Sequence, residues 1–219
     1  MYLTRLVIDQ QDPWVRRDLA DCQRMHRTVM RAFPPADGAH GARACFGTLY
    51  RIDRGISPGT LTLYVQSRTE PCWSHLPAGY LAEVPDNPAC RPLAGFYDSI
   101  AAGDIMEFRL RANVTRKIDS KTGPDGTRRN GRRVELRRTD DQLAWLARHA
   151  EKSGFAVIEA TARPGRVTGV HPCGSLAFGS VYFLGRLRVV DSERFRQALI
   201  AGIGPAKAYG FGLLSVAPA

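Results

Sequence analysis

Leu3, Leu6 and Ile8, set among β-prone residues, predict a strand over 1–9. Val15, Leu19, Cys22, Met25, Val29 and Phe33 then recur at helical spacing, and Pro34-Pro35 closes the single helix they predict. Residues 45–53 and 60–66 read as two strands joined by a turn at Ser57-Pro58-Gly59. Over 70–92 prolines are frequent and no helical pattern emerges, so the second helix of a symmetric half is not visible. Residues 105–113 alternate Met106, Phe108, Leu110 and Ala112 with Glu107, Arg109, Arg111 and Asn113, a strand with arginines on its open face. Thr139 and Gln142 form a capping box ahead of a helix stripe of Leu143, Leu146, Ala147 and Ala150. Strands over 155–161 and 176–190 follow. Asp191 or Ser192 then caps a short helix bearing Phe195, Ala198 and Leu199, and 211–216 supplies a last strand. The order β-α-β-β-α-β is that of a ferredoxin-like unit, and two such α+β halves side by side account for 219 residues.

Composition narrows the class. With 44% hydrophobic residues at regular periods the chain is not a long disordered polymer. No apolar run reaches the roughly 18 residues of a membrane span, and residues 1–17 lack the uncharged apolar stretch of a secretory signal, so a cytoplasmic location away from membranes is expected. The five cysteines are odd in number and scattered with no C-x-x-C, so neither a disulfide framework nor a zinc ribbon is indicated. Cys72 and His75 have ligand-like spacing, but no second close pair completes a metal site, and no metal or cofactor is expected.

The charge is concentrated. Of a net +10, +8 comes from 109–138, where eleven Lys and Arg stand against three acids. The run is mostly arginine, whose planar fork suits phosphates and base edges, and it is broken by the turn signals Gly123-Pro124-Asp125-Gly126 and Asn130-Gly131. A solvated loop is the bland reading; a basic hairpin that binds nucleic acid through its phosphates is the functional one.

Two further features could carry chemistry. In the tail, Gly202, Gly204, Gly210 and Gly212 frame Lys207, a density that would let backbone N–H groups approach phosphate; a plain structural turn fits it equally. It matches neither a P-loop nor a dinucleotide fingerprint, and Lys207, Tyr209 and Phe211 echo the RNA-recognition strand consensus only in part. Cutting RNA without metal needs a base for the 2′-hydroxyl and an acid for the departing 5′ oxygen, and histidine suits either. Of five histidines, His26 lies at the edge of the first helix stripe, four residues after Cys22 and beside Arg24 and Arg27. Such a position is ordinarily a boundary residue. His149 lies near a helix end, and His40, His75 and His171 fall in Gly/Pro-containing stretches.

A wider set of residues weighs in favour of His26. Met1-Tyr-Leu-Thr-Arg-Leu-Val, Met25-His26-Arg27-Thr28, Phe108-Arg109-Leu110-Arg111-Ala112-Asn113, Ala144-Trp145-Leu146 and Gly202-Ile-Gly-Pro-Ala-Lys-Ala-Tyr-Gly-Phe-Gly-Leu-Leu-Ser-Val together resemble the CasE (Cse3) family of type I-E CRISPR endoribonucleases. The resemblance spans almost the whole chain. It implies two tandem ferredoxin-like (RRM-like, RAMP) domains, 1–95 and 96–219. It also implies a monomer when free that binds the CRISPR repeat hairpin, cuts pre-crRNA at the hairpin's 3′ base without metal, leaves a 5′-hydroxyl and a 2′,3′-cyclic phosphate, and stays on the crRNA with the other Cascade subunits. The family's catalytic histidine falls on His26. The segment 116–138, with Lys117, Arg128, Arg129, Arg132 and Arg133, would lie along the A-form stem, and the glycine-rich loop would support the fold and an RNA contact near Lys207. Arg109 and Arg111 join the expected RNA-binding set.

Two departures bear on mechanism. Where members often carry a tyrosine three residues before the histidine, this chain has Gln23, which can hydrogen-bond but not transfer a proton. Where members can carry a Lys/Arg-rich loop before the penultimate long strand, it has His171-Pro-Cys-Gly-Ser-Leu-Ala-Phe-Gly. Transition-state stabilisation is then left to Arg24, Arg27, Arg166 or Lys207. These departures keep open a non-catalytic subunit that binds the hairpin and caps the crRNA. A generic single-strand binder with stacking aromatics is a third reading.

Overall fold

The computed structural model describes residues 1–35, 42–55, 57–118, 133–171 and 174–219. The elements run β1 (Tyr2–Asp9), α1 (Pro13–Ala20), α2 (Cys22–Met30), α3 (Ala42–Cys45), β2 (Leu49–Arg54), β3 (Thr60–Ser67), β4 (Ala89–Pro92) and α4 (Ala94–Ser99). They continue with β5 (Ile105–Ala112), β6 (Thr115–Lys117), β7 (Arg133–Glu135), α5 (Thr139–Lys152), β8 (Phe155–His171), β9 (Gly174–Val189), α6 (Ser192–Ala201), a 3-10 turn (Lys207–Tyr209) and β10 (Leu214–Pro218). No described helix is long and apolar enough to cross a membrane.

Two four-stranded antiparallel sheets form, ordered β2-β3-β1-β4 and β10-β5-β9-β8. Each places its first and third strands at the centre, which is the ferredoxin-like arrangement, so the α+β expectation of two such halves holds. The first sheet packs Leu6, Ile8, Leu63 and Val65 against Val15, Met25 and Val29 of α1 and α2. The second packs Phe108, Leu110, Phe183 and Leu187 against Trp145, Leu146, Phe195 and Leu199 of α5 and α6.

The structure corrects several local expectations. The single helix expected before Pro34 is two, because Asp21 adopts an extended conformation (φ −139°, ψ 107°) and caps α2 by accepting from Gln23 N at 3.0 Å. The strand expected from residue 45 starts at Leu49, after the short α3 and a left-handed Gly47. Between β3 and β4 no helix forms among the described residues; Trp73 and Tyr80 fill the core from an irregular segment whose prolines lack N–H donors. The helix α4 follows β4 instead, and its Tyr97 joins the second core together with Leu93 and Ile100. The division expected at 95/96 falls inside α4. Gln142 forms no capping box: its Nε2 donates to Leu136 O at 3.0 Å and Arg137 O at 3.4 Å, and α5 starts without a side-chain cap. Asp191 does cap α6, its Oδ1 accepting from Arg194 N at 3.0 Å.

The two sheets are joined through Arg51, which is 1% exposed. Its guanidinium grips both carboxylate oxygens of Asp53 at 2.8 and 2.9 Å. Across the junction Nη1 donates to Arg109 O, Leu213 O and Ser215 Oγ at 3.2, 3.1 and 2.9 Å. Gln66 Nε2 donates to Leu199 O at 2.7 Å, and Tyr50 OH to Ala208 O at 3.1 Å. The buried cation thus meets a carboxylate in its own strand and three oxygen acceptors across the junction, the kind of pairing that burial of a charge demands.

Candidate active site and nucleic-acid interface

Strand β8 runs well beyond the expected 155–161, whereas β9 falls close to the expected 176–190, and the two pair from Phe155–Val189 to His171–Gly174 with one bulge between Val157 and Glu159. This arm leaves the second sheet and lands on the N-terminus of α2. Asp21, already the helix cap, also accepts from Val170 N at 3.1 Å. Gly169 packs so closely there that a Cβ would stand 2.6 Å from Cys22 Sγ and 2.9 Å from Asp21 Oδ1. Burial pushes the Asp21 carboxyl upward, but the N–H groups of Gln23 and Val170 and the charges of Arg24 and Arg27 outweigh it and hold it below its usual value.

The glycine-rich tail meets α2 from the other side. Ala206 and Gly210 bracket the 3-10 turn in left-handed conformations (φ 59° and 81°). A Cβ on Gly210 would press against the Tyr50 ring at 3.0 Å, so the glycine is required by close approach between the domains. Two of the four framing glycines spend their N–H groups on carbonyls, Gly202 N on Ala198 O and Gly212 N on Arg111 O, both at 2.8 Å, and Gly204 packs on Trp145. Packing, rather than a backbone phosphate cradle, is the visible work of these glycines.

His26 lies half-buried where arm, tail and helix converge. The Tyr209 ring stands edge-on to the imidazole, with centroids 6.4 Å apart and planes at 71°. Tyr209 is itself stacked on Phe178 of the arm at 5.0 Å. Burial, reinforced by the nearby Arg43 charge, lowers the His26 pKa below 6.5, so a neutral imidazole is held at pH 7. Burial and Arg43 also depress Lys207, whose Nζ donates to Ala201 O at 2.7 Å. Beside this group a cavity of about 190 Å³ is lined by Cys22, Met25, Tyr50, Arg111, Arg166 and Tyr209. Arg111 lies 5.7 Å over the Phe211 ring, its pKa lowered chiefly by burial.

The expected site residues divide. Arg111 and Arg166 line the cavity, with Arg166 also 4.0 Å from Glu135; His26 meets it through Tyr209, and Lys207 starts the 3-10 turn that carries Tyr209. Arg24 and Arg27 are exposed on neighbouring turns, Arg24 paired to Asp21 Oδ2 at 3.5 Å. Arg109 belongs elsewhere: it lines a larger cavity of about 520 Å³ between the facing sheets with Arg51, Tyr64, Arg91, Glu107 and Arg186, where no histidine is present. Lys117 and Arg133 are exposed on β6 and β7, which pair antiparallel through Thr115–Glu135 and Lys117–Arg133. Arg128, Arg129 and Arg132 lie outside the described residues, as does His40. His149 stacks on Trp145 at 3.8 Å, and His75 Nε2 is 3.0 Å from Thr28 O, both structural contacts. Cys72 Sγ turns to Ser74 Oγ at 3.2 Å, away from the ligand pair its spacing suggested.

Sequence reasoning missed Arg43, because α3 carries no periodicity and only folding brings it to His26. It noted Tyr209 only as part of an imperfect consensus.

Fold and site together define a two-sheet ferredoxin-like protein with an imidazole set in a cationic domain seam. A family model described as CRISPR associated protein matches residues 1–218. The CRISPR-associated endoribonuclease Cse3 of Thermus thermophilus is 35% identical, with all of both chains covered. The CRISPR system Cascade subunit CasE of Escherichia coli K12 is 28% identical over all of both chains. A solved structure of Thermus thermophilus Cse3, bound to an RNA representing a pre-cleavage complex, superposes with a TM-score of 0.75 at 34% identity, covering 99% of this chain and 98% of that one. The chain belongs to the CRISPR-associated protein family, among the relatives of Cse3 and CasE.

Proposed function

We propose that this protein is a metal-independent endoribonuclease that binds the CRISPR repeat hairpin, cuts pre-crRNA at the hairpin's 3′ base and stays on its product as a Cascade subunit. The observation that carries the reading is a half-buried imidazole under the charge of Arg43 and edge-on to Tyr209, a residue that lines an open cavity together with Arg111 and Arg166. The 35% identity to an endoribonuclease supports it along the whole chain.

In this reading a His26 nitrogen takes the 2′-hydroxyl proton as that oxygen attacks the adjacent phosphorus, giving a 2′,3′-cyclic phosphate and a 5′-hydroxyl. Arg43, Lys207, Arg111 and Arg166 offset the charge that accumulates on the phosphorane oxygens. Lys117 and Arg133, with Arg128, Arg129 and Arg132 of the connecting segment, hold the A-form stem through its phosphates. The chain divides into its two domains at β4, because Leu93 is the first of the buried residues that form the second core.

His26→Ala is expected to retain hairpin binding and lose cleavage by roughly 10² to 10⁴-fold, with no effect of EDTA on the wild-type rate. Cleavage that vanishes with EDTA, or persists in His26→Ala, would overturn the reading. One observation favours a purely binding role: Gln23, one turn before His26, offers no second proton-transfer group on the helix. Under that role the repeat hairpin stays intact after prolonged incubation with the pure protein.

A further inference from the structure

Resting on the endoribonuclease reading, we propose that Tyr209 is a catalytic residue: its phenol protonates the departing 5′ oxygen while His26 accepts the proton of the attacking 2′-hydroxyl.

The reaction requires a second proton-transfer group within reach of the first, and α2 does not supply one. Gln23 has only an amide, and a guanidinium such as that of Arg43 keeps its proton throughout. Lys207 Nζ is tied to Ala201 O at 2.7 Å. Tyr209 faces the imidazole directly, ring edge to ring, at 6.4 Å. Its ring is fixed from behind by stacking on Phe178, so its position is set before RNA arrives. The turn that carries it holds a non-glycine residue, Ala206, in the left-handed region at φ 59°, a strained conformation of the kind retained where a side chain must be aimed.

The hydroxyl itself is available. Three other tyrosines spend theirs inside the protein: Tyr50 on Ala208 O, Tyr80 on Asp18 Oδ2 and Tyr97 on Gln66 Oε1. The Tyr209 hydroxyl takes no hydrogen bond among the described residues and is not sealed from solvent. The residue lines the cavity that Arg111 and Arg166 also line, where a phosphate would be drawn. A phenol is protonated at neutral pH and far more acidic than an alcohol. The step balances: the 2′ oxygen bonds to phosphorus as its proton passes to His26, and the bond from phosphorus to the 5′ oxygen breaks. The phenolic proton goes to that oxygen, and the phenolate regains a proton from solvent as the imidazolium loses one.

The test uses Tyr209→Phe, which keeps both ring contacts and deletes only the hydroxyl. It is assayed in single turnover on a synthetic cognate repeat RNA and on the same RNA with sulfur in place of the bridging 5′ oxygen at the mapped scissile bond. A thiolate leaves without protonation. Tyr209→Phe is expected to slow the oxygen substrate by roughly 10²-fold, to cut the sulfur substrate within a few-fold of wild type, and to leave hairpin binding unchanged. Equal rates of wild type and Tyr209→Phe on the oxygen substrate would overturn the proposal, as would equal loss on both substrates. Lys207→Ala is run in parallel; rescue of that variant by sulfur, with none for Tyr209→Phe, would assign the acid to the amine and overturn it too. Failure of wild type to cut either RNA, or full activity in His26→Ala, would instead remove the endoribonuclease reading itself.

Discussion

At the scale of single residues the seam is governed by what surrounds one imidazole. A histidine used as a base must be neutral, and the surroundings of His26 favour that state, burial first and Arg43 second. The acidic limb of the cleavage rate, followed at subsaturating RNA, is therefore expected below pH 6.5. Arg43→Ala removes only the smaller cause, so the limb should move up toward 6.5 without reaching it. A limb indifferent to Arg43 would mean that this cation does not act on His26. The edge position of His26 on an apolar stripe was legible in the chain because neighbours along a helix are set by local geometry. Arg43 was not, since only the folded chain brings its charge near His26.

At the scale of elements the β8–β9 arm links the second domain to α2, the helix that carries His26. The link works because Gly169 has no side chain where Cys22 and Asp21 press against it. Gly169→Ala is expected to lift the arm, and a misplacement of about 1 Å in a positioned site can cost on the order of 10²-fold in rate. Cleavage should fall more than hairpin affinity, and adding Cys22→Ala should recover part of the loss. An unaltered rate would show that the arm docks without consequence. The paired β6 and β7 make a different prediction. If Lys117 and Arg133 each touch a phosphate, replacing both with alanine should reduce the salt slope of hairpin binding by about one for each contact. An unchanged slope would place the stem elsewhere. The length of β8 was hidden in the sequence by Pro164, Gly165 and Gly169, which ordinarily end strands; here pairing along a long partner strand overrides local preference.

At the scale of the whole molecule two halves are held in register by the buried Arg51, which pairs with Asp53 in its own strand and donates across the junction. Arg51→Ala would leave Asp53 buried without its partner and three acceptors in β5, β10 and the segment between them unmatched. A loss of about 3 to 5 kcal/mol in chemical denaturation is expected, and a loss below about 1 kcal/mol would show that the sheets are held by apolar packing alone. Nothing in the chain marked Arg51 as different from the arginines around it; it reads as another basic residue in a strand. The periodicity of apolar residues did determine most of the strands, the three principal helix regions and the order of elements in the second half, because those depend on which face each side chain takes along its own backbone. The clustering of positive charge between 109 and 138, and hence the class of partner, was equally open to reading, since charge adds along the sequence regardless of fold. Tertiary structure alone decided that the helix breaks at Asp21, that Arg43 and Tyr209 flank His26, and that Arg109 faces a separate cleft while Arg111 faces the seam. Each of these depends on contacts between residues far apart in the chain, whose distances only the packing of one sheet on the other can set.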